Sequence, residues 1–169
     1  MAKLKLNVKY HDEKMPKLEH VGGYNKSDFI DLRCVSAEVT HLDGTVDTYE
    51  GEWENFSYKQ GDVIFASFGV SIDFTSDNNM YTGQVFSRSS LFKNFGLLLT
   101  NGVGVIDNSY SGNNDVIKGM FLAMREGSIS KYERMAQLTV IEKSPKLVFV
   151  EVENLGNKER QGYGSTGVK

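Results

Sequence analysis

Asp107 interrupts the stretch GVGVIDNSYSGN, residues 102–113, where an apolar run meets a Gly/Asn/Ser-rich turn. A lone carboxylate at such a join either starts a hairpin or does chemistry there. Four other stretches hold groups that could do chemistry, two of them suited to phosphate. In FSRSSLFKNFG, 86–96, Arg88 precedes Ser89 and Ser90 at the start of a short helical segment. Unpaired N–H groups at a helix start favour an anion, although a serine cap beside a solvated arginine would read the same way. SDFIDLRC, 27–34, places Asp28 and Asp31 at a strand start, as turn formers or as acids near a cation. In RMAQLTV, 134–140, Gln137 is the odd polar residue of an apolar strand pattern, a residue type that often satisfies a neighbouring backbone group. RQGYGSTG, 160–167, is either a plain Gly/Ser terminus or a phosphate clasp. In the clasp, backbone N–H groups around Gly164 and the hydroxyls of Ser165 and Thr166 donate to phosphate oxygens, Arg160 adds a bidentate cation and Tyr163 stacks on a base. It lacks the lysine and following helix of a Walker loop.

Composition narrows the field. The 169 residues amount to about one domain, and 40% apolar content supplies a single core. A net charge of -3 gives no long-range attraction to nucleic acid, so phosphate recognition must be local. One cysteine, Cys34, rules out an internal disulfide and fits a reducing compartment. His11, His20 and His41 have no ligand spacing, which removes zinc chemistry. MAKLKLNVKY alternates polar and apolar residues as a strand does, unlike a signal peptide, and no apolar run approaches a membrane span. The expectation is a cytoplasmic protein with no nucleic-acid or membrane partner.

The elements that must hold these residues are strands. Period-two patterns predict them at 3–10, 35–42, 61–74, 80–87, 97–106, 116–124, 135–142 and 146–152, with turns such as LDGT, KQGD, SDNN and YSGNND between them. Many short strands at this spacing predict a sandwich or barrel. One short helix is expected within 89–96, ended by Gly96. The pattern fails after Val152, dividing the chain into a β domain, 1–152, and a C-terminal tail, 153–169.

DFIDLRC, SRSSLF, NGVGVIDNSYSGN, RMAQL and RQGYGSTG occur in that order, and together they resemble the five motifs of the homotrimeric dUTP pyrophosphatases. The resemblance runs from about residue 25 to 167. It implies an all-β, jelly-roll-like β-sandwich of the β-clip type with one short helix, and a homotrimer whose sites are built from shared segments. Ser87 stands where the family often has proline, and Tyr163 where it usually has phenylalanine. The stretch between Asp31 and Arg88 is longer than in compact members, with extra hairpins expected in GEWENFSYKQ and DFTSDNNMYTG. That excursion, near 50–82, is reminiscent of phage-encoded members and offers a place for a protein partner.

The resemblance also implies roles. Asp107 is the general base for water attacking the α-phosphorus of dUTP, releasing dUMP and pyrophosphate. Asn101, Val105 and Ile106 match positions that read the uracil edge, and Tyr110 packs under the deoxyribose. Arg88, Ser89, Ser90 and Gln137 surround the phosphates. Asp31 meets a water on a magnesium ion carried by the triphosphate. The tail closes over the substrate, with Tyr163 on uracil and Arg160 at the terminal phosphate. Two alternatives stand beside this one: a dCTP deaminase of the same fold, and a regulatory trimer that captures a protein through the longer loop.

Overall fold

Residues that alternate in polarity alternate in burial, and this builds nearly the whole chain. The computed structural model describes residues 4–23, 25–75 and 81–159. Thirteen strands form among them: β1 (Asn7–Tyr10), β2 (Ile30–Arg33), β3 (Ser36–Thr40), β4 (Val46–Tyr49), β5 (Asn55–Tyr58), β6 (Val63–Ser67), β7 (Val70–Asp73), β8 (Tyr81–Ser87), β9 (Leu97–Leu99), β10 (Val103–Ile106), β11 (Lys118–Ala123), β12 (Gly127–Ser130) and β13 (Arg134–Glu142). A single short helix, α1 (Leu91–Phe95), ends at Gly96. A four-stranded sheet runs β10-β8-β13-β2 and a five-stranded sheet β4-β3-β6-β11-β9, with β1-β7 and β12-β5 as two-stranded ribbons. All these pairings are antiparallel.

Both large sheets contribute to one core. Leu32, Val85, Met135 and Leu138 from the first meet Val39, Ile64, Phe121 and Leu97 from the second. Each such fully buried side chain contributes about 1.5–3 kcal/mol relative to exposure. This is the expected all-β, jelly-roll-like sandwich with one short helix.

Several expected strands are shorter or divided. The run 61–74 breaks at Phe68 and Gly69 into β6 and β7. Gly69 has φ +64°, and a Cβ there would lie 2.7 Å from Val35 Cγ2, so only glycine turns this corner. The run 97–106 likewise breaks into β9 and β10 around Gly102, with φ +66°. GEWENFSYKQ is not a separate hairpin: its strand β5 pairs with the distant β12. Its rings extend the core, with Tyr49 stacked on Phe56 at 5.0 Å and Trp53 5.6 Å from Phe56. The second expected hairpin, DFTSDNNMYTG, falls partly outside the described residues.

The strand expected over 146–152 does not form. Residues 143–152 find no ladder partner among the described residues, and Leu147, Val148, Phe149 and Val150 stay exposed, Phe149 at 91%. Apolar alternation alone does not make a strand when its backbone has nothing to pair with.

Candidate active site

The β2, β13 and β8 strands bring the first phosphate candidates side by side. Gln137 on β13 is paired with Asp31 on one side and Phe86 on the other, so three neighbouring strands meet at this level. Asp31 is nearly buried and lies between two arginines. Its Oδ1 is 2.9 Å from Arg88 Nε, and its Oδ2 accepts a hydrogen bond from Arg134 Nη1 at 3.1 Å. Gln137 Nε2 donates to the Ser87 carbonyl at 3.3 Å, tying β13 to the residue before Arg88.

Arg88, Ser89 and Ser90 form the corner between β8 and α1. The expected serine cap is not made: Ser90 occupies the N-cap position without a side-chain hydrogen bond, and only its carbonyl is engaged, by Asn94 N–H at 2.9 Å. A helix of five residues also has little dipole to offer, so the corner's suitability for anions comes from Arg88 and the two hydroxyls rather than from the helix.

Asp107 follows β10. Its Oδ1 accepts the Ser109 N–H at 2.9 Å, and its carbonyl accepts the Tyr110 N–H at 2.9 Å, so it does shape the turn. The Ser109 backbone hydrogen bond, then the Ser109 hydroxyl, and Lys143 more distantly, hold its carboxyl below the usual carboxylate value. The exposed group therefore stays ionised near neutrality, ready to accept a proton from water. Tyr110 OH donates to the Val116 carbonyl at 3.0 Å, which fixes its ring across the turn with 40% of the residue exposed. Asn101 sits exposed in the β9–β10 turn, Val105 projects outward at 68% exposure, and Ile106 packs against the core.

Two groups result, and the ribbon β10-β8 separates them. Ile106 pairs with Gly83 and Val103 with Phe86, so Asp107 falls level with Thr82, six residues from Arg88. At 3.3 Å per residue that is about 20 Å, too far for one nucleotide phosphate chain to touch both within one chain. Arg160, Tyr163, Gly164, Ser165 and Thr166 lie outside the described residues.

A family model described as dUTPase matches residues 54–167. A deoxyuridine 5'-triphosphate nucleotidohydrolase from the SPbeta prophage of Bacillus subtilis is 32% identical over 166 residues, covering 98% of this chain and 100% of the relative. The chain belongs to the dUTPase family. The corresponding enzyme of Lactococcus lactis is 35% identical over 68% of this chain and 76% of its own length. Among solved structures, a point mutant of the dUTPase of Staphylococcus bacteriophage 80alpha with dUpNHpp aligns at TM-score 0.67 and 17% identity, over 98% of this chain and 100% of the phage chain. A point mutant of the phi11 phage dUTPase of S. aureus, described with a structural Mg(II) ion, aligns at TM-score 0.61 and 15% identity, over 89% of this chain and 99% of that one. At such identities the structural likeness establishes the fold, and membership of the dUTPase family rests on the sequence matches.

Magnesium can be tested against the residues present. Among the described residues no three His, Cys, Asp or Glu side chains are grouped to hold a metal. Asp31 Oδ1, however, is a buried oxygen whose ion pair with Arg88 falls short of hydrogen-bond geometry. An acceptor of this kind fits a water on a phosphate-borne ion better than direct coordination, since two guanidiniums already flank the carboxylate.

One residue here escaped the sequence reading. Arg134 stands three positions before Gln137, a spacing that puts two side chains on opposite faces of a regular strand. Only an irregularity in β13 brings it to Asp31.

Proposed function

We propose that this chain carries out its family's reaction, hydrolysis of dUTP to dUMP and pyrophosphate, in sites shared between three copies. The carrying observation is the separation of about 20 Å between Asp107 and Arg88, which calls for the base and the phosphate cluster of one site to come from different chains. The outer face of the five-stranded sheet supports assembly: Met120 pairs opposite Phe65, and both remain partly exposed beside Leu98. So does the uncovered apolar segment from Leu147 to Leu155.

In this reading Asp107 orients a water and takes its proton as the water oxygen attacks the α-phosphorus. The bond to the bridging oxygen breaks and pyrophosphate leaves. A positioned base supplies about 10²–10⁴-fold, and most of the remaining acceleration comes from charge neutralisation. Arg88, Ser89, Ser90 and Gln137 hold the phosphate oxygens. Magnesium carried on the triphosphate would neutralise part of its charge, and Asp31 would accept a hydrogen bond from a water on that ion. The turn strand carrying Val105 and Ile106, with Asn101, reads the uracil edge through its backbone, and Tyr110 blocks a 2′-hydroxyl. Arg160, Tyr163, Gly164, Ser165 and Thr166 close over the bound nucleotide from the tail, 153–169.

A dCTP deaminase is disfavoured because residues 101–116 contain no glutamate to act beside a pyrimidine amino group. A protein partner near 50–82 is supported by the phage relatives, one of which is described as controlling transfer of virulence genes by a proto-oncogenic G protein-like mechanism. Here 55–58 is tied into the fold by β12, which narrows the candidate contact within that stretch. No helix among the described residues is long and apolar enough to cross a membrane, and a cytoplasmic setting, where deoxynucleotides are, suits the reaction.

Incubation with each deoxynucleoside triphosphate and magnesium, following pyrophosphate and ammonia, tests the reading. Pyrophosphate from dUTP alone is expected. Ammonia from dCTP, or no turnover of any of them, would overturn it.

A further inference from the structure

Arg134 reaches the phosphate cluster by a device in its own strand. It pairs with Arg33, and Ala136 pairs with Leu32, so β13 carries one extra residue, Met135, against two consecutive residues of β2. Met135 and Ala136 are both fully buried, where a regular strand would turn one of them outward. This bulge shifts the alternation by one, and Arg134 and Gln137 then share the face that holds Asp31. Bulges recur beside functional sites because they re-aim side chains in this manner.

We propose that Arg134 is a positioning residue of the triphosphate site, acting through Asp31 on Arg88. The inference rests on the reading that Arg88 meets the triphosphate. Arg134 takes Asp31 Oδ2 in a hydrogen bond of 3.1 Å, which fixes the carboxylate plane and leaves Oδ1 facing Arg88 Nε at 2.9 Å. Asp31 holds Arg88 by an ion pair at Nε that falls short of a hydrogen bond, which leaves the guanidinium donors for another acceptor. Charge adds a second argument. Asp31 and Arg88 alone would form a neutral pair, indifferent to a polyanion, whereas with Arg134 the cluster is two cations around one anion and stays positive. The Arg134 side chain is 42% exposed against 11% for Asp31, so it closes the cluster from the solvent side.

The test is a double-mutant cycle of Arg134→Gln and Arg88→Gln, with Arg134→Lys as the conservative variant, measuring affinity for dUpNHpp, competition by phosphate-free deoxyuridine, and thermal stability. Loss of a charge-assisted contact that orients Arg88 is expected to weaken dUpNHpp binding about tenfold in Arg134→Gln. Deoxyuridine competition and melting temperature should stay as in wild type, and the double variant should bind no worse than Arg88→Gln alone. Lysine should recover part of the loss through charge but not the fixed plane. Unchanged dUpNHpp binding in Arg134→Gln would overturn the proposal. So would additive losses, which mark an independent phosphate contact, or a lowered melting temperature with both ligands weakened equally, which marks a structural role. If Arg134→Gln fails to fold, the same comparisons apply to the lysine variant. Should Arg88→Gln itself bind dUpNHpp like wild type, the phosphate assignment falls instead, which separates the two failures.

Discussion

Asp107 and Arg88 stand at opposite ends of one antiparallel ribbon, Asp107 level with Thr82 and six residues from Arg88. A site needing both groups must then draw them from two chains. Co-refolding Asp107→Asn with Arg88→Gln chains, each inactive alone, is expected to restore activity. In a random 1:1 mixture each site has a chance of one half for a sound base and one half for a sound phosphate cluster, so about a quarter should work in a symmetric trimer. Mixed trimers, confirmed by mass, with no activity above the separate variants would contradict shared sites.

Asp107→Asn alone should lower kcat by about 10²–10⁴-fold while keeping affinity for dUpNHpp, because the amide preserves shape and removes the proton acceptor. The Ser109 hydrogen bonds hold the Asp107 carboxyl below its ordinary value of 3.8. The base is ionised above its pKa, so on its account kcat/KM should stay level from pH 7 down to 5. A fall beginning near neutrality would assign the base elsewhere.

Ending the chain after Asn157 should leave melting temperature nearly unchanged, since the twelve residues removed, KERQGYGSTGVK, hold little that could pack into a core. Loss of Arg160 and Tyr163 should nonetheless remove most activity. A truncated protein as active as the full chain would take the tail out of the site.

His41 predicts a pH-dependent stability unrelated to catalysis. Its Nδ1 lies 2.9 Å from Asp62 Oδ2 and its Nε2 3.1 Å from Asp47 Oδ2, so each ring nitrogen faces a carboxylate. Hydrogen bonds to Asp47, then to Asp62, raise its pKa above 6.5. A raised folded pKa gives stability that is complete below the unfolded value, about 6.5, and lost as pH climbs through the folded one. The gap in melting temperature between wild type and His41→Gln should therefore be widest near pH 6 and shrink above neutrality. A constant gap from pH 6 to 9 would show that protonation plays no part.

How much of this was legible in the sequence depended on whether each feature was local. The corner at Arg88, Ser89 and Ser90 and the turn at Asp107 could be read because turn residues and strand ends lie within a few positions of each other. The division of 61–74 was hidden because alternation continues through Phe68 and Gly69, and only the crowding of Val35 explains the corner. The pairing of Phe56 with Ile129 spans too much chain for any local pattern to announce it. Residues 146–152 have a strand's composition, yet what a strand does there depends on a partner the single chain does not provide. Arg134 was missed for a related reason: its face is decided by a pairing irregularity with β2.

That irregularity makes β13 a matter of parity. With Met135 in place, every residue before it is counted one step out of phase with every residue after it. Deleting this one buried methionine would remove the bulge and leave Arg134 two positions before Gln137, on the same face, whereas keeping it in a regular pairing would send Arg134 toward the core and turn Glu133 outward, reversing the sign of charge there. In aligned relatives a gap at this position would therefore leave the basic face intact, whereas an uncompensated gap or insertion between Ala136 and Gln137 would turn it inward.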